Sequence, residues 1–190
     1  MPRYIGNIED AVRSLRNASR VMVVGSSGGG KTTLSRQVAQ HIQAEYFSID
    51  RDVRWLPNWT QRDRAEQHSI IMDIIARDRW VLDGSNPSTF DVRLPRTDIV
   101  LWMRLPRWTC LAGIGRRVMQ NYGRVRPDMA EGCPEPLPDR DFLTYIWMFE
   151  KRHAPLFERN FDLYGPDVPI FQVKSRRETN RLLDLIKSAP

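Results

Sequence analysis

"GSSGGGKTT", residues 25–33, closes the apolar run "RVMVVG" at residues 20–25 and decides how the rest of the chain is read. Its spacing is G-x-x-x-x-G-K-[ST], with Gly25, Gly30, Lys31 and Thr32 on the fixed positions. Glycine lets a backbone reverse and present successive N–H groups to one point. Such a loop, opening into a helix N-terminus, is a cradle for phosphate oxygens. The amides of Gly28, Gly29, Gly30 and Lys31 are expected to hold the phosphates, with Ser26, Ser27 and Thr33 in the same contacting stretch. Lys31 is expected to bridge β- and γ-phosphates, and the Thr32 hydroxyl to ligate Mg²⁺. ATP and Mg²⁺ are therefore the expected cofactors.

Outward from the loop, strand and helix patterns alternate. Residues 7–19, with Ile8, Val12 and Leu15 at helical spacing, predict a short helix before the loop. "KTTLSRQVAQHIQAEY" predicts a helix after it, followed by a strand over "EYFSID", residues 45–50. A helix is expected over residues 60–78 with Thr60 as its N-cap, then strands at 79–84 and 97–105. "PRWTCLAGIGRRVMQ", residues 106–120, predicts a helix starting at Pro106, with Trp108, Leu111, Ala112, Val118 and Met119 along one side. Residues 141–160 predict a single helix with Phe142, Tyr145, Ile146 and Phe149 on its buried stripe. A fifth strand over 168–175 and a closing helix over 176–190 complete the pattern. Between the helices, "NYGRVRPDMAEGCPEPLPDR" carries four prolines and two glycines, which exclude regular structure over most of it. Its length marks it as a lid or a disordered segment at about 120–140. The expected fold is α/β and three-layered, a five-stranded parallel sheet with helices on both faces and a lid insertion, in one domain over residues 1–190. The phosphate loop belongs at the carboxyl edge of that sheet, where such folds bind ligands.

Composition agrees. The chain has 190 residues, 41% hydrophobic and 27% charged, which reads as a soluble globular domain. No apolar run approaches the ~20 residues that span a bilayer, and the N-terminus shows no signal-peptide pattern, so no membrane partner and a cytoplasmic location are expected. Cys110 and Cys133 are too few and too far apart for a disulfide framework or a zinc site. The net charge is +6, but the cations are spread along the chain rather than blocked. Nucleic acid is possible as a partner and not favoured. A small-molecule phosphate acceptor is expected, bound by a monomer or homodimer.

Other residues bring chemistry to the same edge. Asp50 and Asp52 follow the second of the five strands, and alternation in an extended stretch would point both the same way. A carboxylate there can take a proton from an attacking hydroxyl or hold Mg²⁺ through water. Each also reads as an ordinary loop or N-cap aspartate. Trp55 and Trp59 would wall a substrate pocket or pack a lid. Asp83, ending a buried strand, is the expected Mg²⁺ partner of Thr32. Arg93 follows shortly after, on the acceptor side. Phosphoryl transfer spreads negative charge that planar guanidinium donors match. Arg116 and Arg117 at the start of the lid segment, Arg124 and Arg126 inside it and Arg152 beyond it are the candidates, and His153 reads as structural.

The stretches "GSSGGGKTT", "DRDVRWLPNWT", "WVLDGS", "LPRWTCLAGIGRR" and "GRVRPDMAEGCPE" together resemble the adenylate-kinase-like P-loop proteins of the DNA topology modulation (FlaR-type) group, over about residues 20–160. The wider group is the small P-loop kinases: adenylate, shikimate and gluconate kinases and their relatives. The resemblance implies a P-loop NTPase fold, ATP and Mg²⁺ at Lys31 and Thr32, Asp50 as substrate-side acid, and Arg116 and Arg117 as lid-proximal arginines. It also places "KSRRET", with Ser175 and Arg176, beside the adenine ring. The shikimate-type glycine triplet is absent, and the adenylate-type "DGFPR" reads "DGSNP" here. An ATP-dependent small-molecule or nucleotide kinase is the expected function. The alternative is a nucleotide-binding regulator associated with DNA topology.

Overall fold

In the computed structural model, which describes residues 1–188, β2 (Arg20–Gly25) runs through the middle of a six-stranded sheet. In chain order the elements are β1 (Arg3–Tyr4), α1 (Ile8–Asn17), β2, α2 (Lys31–His41), β3 (Glu45–Ser48), β4 (Trp55–Leu56), β5 (Thr60–Gln61), α3 (Arg64–Ile75), β6 (Trp80–Asp83), α4 (Phe90–Arg93), β7 (Ile99–Met103), α5 (Arg107–Asn121), α6 (Arg140–Arg152), α7 (Ala154–Tyr164), β8 (Pro169–Val173) and α8 (Arg176–Lys187). The strand order is β1-β8-β7-β2-β6-β3, all parallel. Residues 189 and 190, where the expected closing helix ends, lie outside the described residues.

Side-chain alternation along the strands builds the layers. Val21, Val23, Val81, Leu101 and Phe171 face one way, onto Leu15 of α1, Leu34 and Val38 of α2, Ile114 of α5 and Leu182 of α8. Met22, Val24, Leu82, Trp102 and Ile170 face the other way, onto Ile71 of α3, Phe90 of α4 and Phe157 and Phe161 of α7. Both faces of the central strands are thus covered, as continuous apolar strands require. Register fixes the functional edge: Val23 lies opposite Asp83 on β6 and Gly25 opposite Met103 on β7, so the strands end together beneath the loops that follow them.

Several expectations are corrected. The sheet has six strands, not five. Arg3–Tyr4 is too short to show a period, yet it pairs with Pro169–Ile170 and adds an edge. A small antiparallel ribbon, β4–β5, also forms at residues 55–61. The strand expected over 45–50 stops at Ser48 because Asp52 Oδ2 accepts the Ser48 N–H at 2.7 Å, and a wide helical turn, Ile49–Arg54, follows. The cap of α3 is Asp63, whose carboxylate accepts the Ala65 N–H at 2.8 Å; Thr60 belongs to β5. The helix expected over 141–160 is two, α6 and α7, because Pro155 has no N–H with which to continue the ladder. On α5 the buried residues are Cys110 and Ile114, while Trp108 is 66% and Met119 88% exposed. Of the expected stripe, Leu111 and Val118 pack partly buried against the core.

No described helix is long and apolar enough to cross a membrane.

Candidate active site

β2 ends at Gly25 and α2 starts at Lys31, so residues 26–30 form the turn between them. Gly28 at φ 78° and Gly30 at φ 94° occupy the left-handed region that the turn demands and that other residues resist. The turn is also wedged between neighbours: a Cβ on Gly28 would lie 2.1 Å from the Cys110 carbonyl oxygen. Lys31 folds back, its Nζ donating to the Ser26 carbonyl at 3.1 Å. The Ser26 hydroxyl is buried without a partner, and the amides of Gly28, Gly30 and Lys31 donate to no protein acceptor among the described residues. Burial raises the Cys110 thiol beside the loop, so it stays protonated.

Thr32, in the first turn of α2, donates its hydroxyl to Asp83 Oδ2 at 2.7 Å. Asp83 is 4% exposed at the end of β6. Burial raises its carboxyl above the usual range; the Lys31 ammonium and the Thr32 hydrogen bond pull it back, and the Asp50 charge adds to the rise. The Tyr46 hydroxyl reaches the same Oδ2 at 3.4 Å.

The loop after β6 is bolted to the glycine loop. Ser85 Oγ accepts the Gly25 N–H at 3.1 Å and donates to the Gly25 carbonyl at 2.9 Å. Arg93, fully buried, donates to the carbonyls of Gly84, Ser85 and Asn86 at 3.0, 2.5 and 2.9 Å and lies over the Phe90 ring. Burial lowers its pKa to about 9. Arg93 was expected on the acceptor side; in the structure its Nη1 and Nη2 are engaged with the backbone that shapes the site, while its Nε meets no partner among the described residues.

The two carboxylates of "SIDRD" part ways. Asp50 is exposed, and its charge reaches Asp83 and Tyr145. Asp52 is turned inward onto the Ser48 N–H and onto Arg51, whose Nε and Nη2 donate at 2.7 and 2.8 Å. The helical turn, with no extended alternation, separates them. Burial, with the Asp50 charge, raises the Tyr145 hydroxyl to about 12, Arg54 opposing. Trp55 meets Trp59 edge to face at 5.3 Å, with the Arg54 guanidinium over Trp55. Cys133 joins this ribbon to the segment between α5 and α6: its sulfur accepts the Trp59 N–H at 3.2 Å and donates to the Leu56 carbonyl at 3.5 Å.

The arginines of α5 and of the segment that follows it are distributed unevenly. Glu135, 2% exposed, bridges Arg117 and Arg126, each at 2.7 Å; Arg126 also pairs with Asp128 at 2.7 Å. Burial and the neighbouring Arg126 lower Arg117. Arg116 faces an open cavity with Trp108, Thr109, Gly113 and Arg176. Arg176 donates to the Gly28 carbonyl at 3.2 Å, so α8 touches the glycine loop. Ser175 is the α8 N-cap, its hydroxyl accepting the Glu178 N–H at 3.1 Å. Arg124 is exposed, and Arg152 is exposed at the end of α6 without an ion pair among the described residues. His153 stacks on Phe149.

Lys31, Thr32, Asp83, Asp50 and Arg176 thus come together around the loop, while Asp52 and Arg93 support it and Arg152 stands apart. Sequence reading missed Tyr46, Ser85, Gly113 and Glu135. A signal existed for Gly113, since glycine inside a helix costs about 1 kcal/mol and so asks for a reason. A second lay in β3, where period-two alternation sets Tyr46 and Ser48 on one face.

Among solved structures, shikimate kinase from Acinetobacter baumannii in complex with shikimate matches with a TM-score of 0.57 at 16% identity, over 93% of this chain and 97% of that one. Shikimate kinase from Bacteroides thetaiotaomicron matches with a TM-score of 0.52 at 14% identity, over 90% and 96%. No protein-family model matches the chain, and no curated protein matches it in sequence. The chain has the α/β fold of the P-loop kinases.

Proposed function

We propose that the protein is an ATP-dependent phosphotransferase, moving the γ-phosphate of Mg-ATP to the hydroxyl of a small acceptor. The observation that carries the reading is the 2.7 Å bond from Thr32 to the buried Asp83 carboxylate, set against a glycine loop whose Gly28, Gly30 and Lys31 amides meet no protein acceptor among the described residues, while the Gly29 amide donates to the Ser26 carbonyl at 3.4 Å. A hydroxyl and a carboxylate are hard oxygen donors, few in number, as suits a Mg²⁺ ion whose remaining positions go to phosphates and water. Thr32 and Asp83 would hold that ion, which would supply positive charge against the negative charge that builds during phosphoryl transfer.

The chain's own residues supply the rest. Lys31 exchanges the Ser26 carbonyl for phosphate oxygens, and the amides of Gly28, Gly30 and Lys31 cradle them. Arg116, Arg176 and Trp108 line the cavity beside the loop, where a nucleotide base fits against the indole. Arg117 and Arg126, parked on Glu135, keep two guanidinium groups within the lid segment. Asp50 takes the proton of the acceptor hydroxyl as its oxygen bonds to the γ-phosphorus and the bond to the β–γ bridging oxygen breaks, leaving ADP. The narrower affiliation we propose is the DNA topology modulation group, on the stretches quoted above.

The test is ADP release from Mg-ATP with panels of nucleosides, nucleotides, sugars and hydroxy acids. One acceptor class stimulates release at least tenfold over the Lys31→Ala variant. Uniform failure to exceed that variant sinks the reading.

A further inference from the structure

Tyr46 stands in β3, half-buried, with its hydroxyl 3.4 Å from Asp83 Oδ2. Hydrogen bonds in unloaded sites are often long and tighten on loading. Thr32 donates to the same oxygen, and no protein donor reaches Asp83 Oδ1 among the described residues. Two donors converging on one oxygen fix the carboxylate about its own axis and leave the other oxygen available.

The tyrosine is itself clamped. Arg51 lies over its ring at 5.3 Å and Arg36 at 5.4 Å. Arg51 is locked by Asp52 through two bonds of 2.7 and 2.8 Å and donates to the Tyr46 carbonyl at 3.4 Å. Arg36 donates to the Pro127 carbonyl of the lid segment at 3.2 Å. Burial and the Asp83 charge raise the Tyr46 hydroxyl, which keeps its proton and remains a donor. A chain of contacts therefore runs from Asp52 through Arg51 and Tyr46 to Asp83 and Thr32, with Arg36 tying the same ring to the lid segment.

We infer that Tyr46 is a positioning residue for the metal side of the site: it orients Asp83 so that one carboxylate oxygen stays bound to protein while the other serves Mg²⁺. This rests on the phosphotransferase reading above. It also assigns Asp52 the task of buttressing that arrangement through Arg51.

The test is the titration of a fluorescent ATP analogue with Mg²⁺ and in EDTA, on wild type and on Tyr46→Phe. The variant keeps the ring under both guanidinium groups and removes only the hydroxyl. Its affinity in EDTA matches wild type within twofold, while its Mg²⁺ midpoint rises about three- to tenfold, the weight of one ordinary hydrogen bond, as suits a contact as long as 3.4 Å. Asp52→Asn, which loosens the buttress, shifts the Mg²⁺ midpoint the same way and less. A merely structural role would weaken both affinities together. An unchanged Mg²⁺ midpoint in both variants overturns the assignment while leaving the phosphotransferase reading intact. Wild type that binds the analogue with no response to Mg²⁺ overturns both.

Discussion

Gly113 of α5 and Gly28 of the phosphate loop are in backbone contact: a Cβ on Gly113 would lie 2.1 Å from the Gly28 carbonyl oxygen. The Arg176 guanidinium closes on the same point, 3.0 Å from that position. The loop is therefore held from outside, by a helix that meets Gly28 through Cys110, Gly113 and Ile114. Gly113→Ala pushes the loop off its seat and costs about 1–3 kcal/mol of stability, as overpacking does, together with at least a tenfold loss of ATP-analogue affinity. Gly115, two residues on, has open space around its Cα. Gly115→Ala instead stabilises by about 0.5–1 kcal/mol through helix propensity. Denaturant unfolding and nucleotide titration of the pair check both signs.

Arg93 carries three carbonyls with one planar group, and Ser85, whose carbonyl is among them, brackets Gly25. Lysine is a point charge and cannot span that fork. Arg93→Lys is expected to lose about 2–4 kcal/mol, since hydrogen bonds to charged groups are worth about 1.5–3 each, and to weaken nucleotide binding through the slackened loop. Chemical denaturation with unchanged stability would show that the three bonds do not hold the turn.

Glu135 faces two guanidinium groups from a nearly sealed position. Glu135→Gln leaves Arg117 and Arg126 without their shared counter-charge and destabilises by about 2–4 kcal/mol, a little under the cost of breaking a fully buried pair. Phosphate can replace the lost carboxylate, so Mg-ATP raises Tm more in this variant than in wild type. Thermal melts with and without nucleotide measure the difference, and an equal or smaller rise counts against phosphate-seeking arginines.

Asp83 is held above the usual carboxylate range, foremost by burial. An acid raised in the native state contributes its full stability below the unfolded pKa and loses it as pH climbs through the native value. Asp83→Asn has no such loss. Its Tm exceeds that of wild type at neutral pH, and the gap narrows as pH falls toward about 4, the ordinary aspartate value. The same variant loses the Mg²⁺ response of nucleotide binding. Melts across that pH range decide the matter; a gap that widens in acid would contradict the burial argument.

How much of this was legible beforehand varies by residue. That Lys31, Thr32 and Asp83 would meet at one sheet edge was readable because each lies at the end of a local pattern: an apolar strand, then a turn. The inward contacts of Asp52 and Arg93 were not legible, since a charge near a strand end looks the same in sequence whether it meets solvent or the backbone. The break before α7 needed only Pro155 to be weighed against the apolar stripe.

The sequence alone determined what spacing controls: the loop of glycines, the lysine and threonine that follow it, and the alternation of strands and helices. These are short-range consequences of backbone sterics and side-chain periodicity. Which arginines face solvent and which are tied down was decided by the tertiary structure, because Arg93 and Glu135 find their partners only after the chain has closed into its turns. So too with Tyr46, which meets Asp83 across 37 residues because β3 pairs with β6 and not with β2. Strand order is a property of the closed sheet, and no local run of residues encodes it.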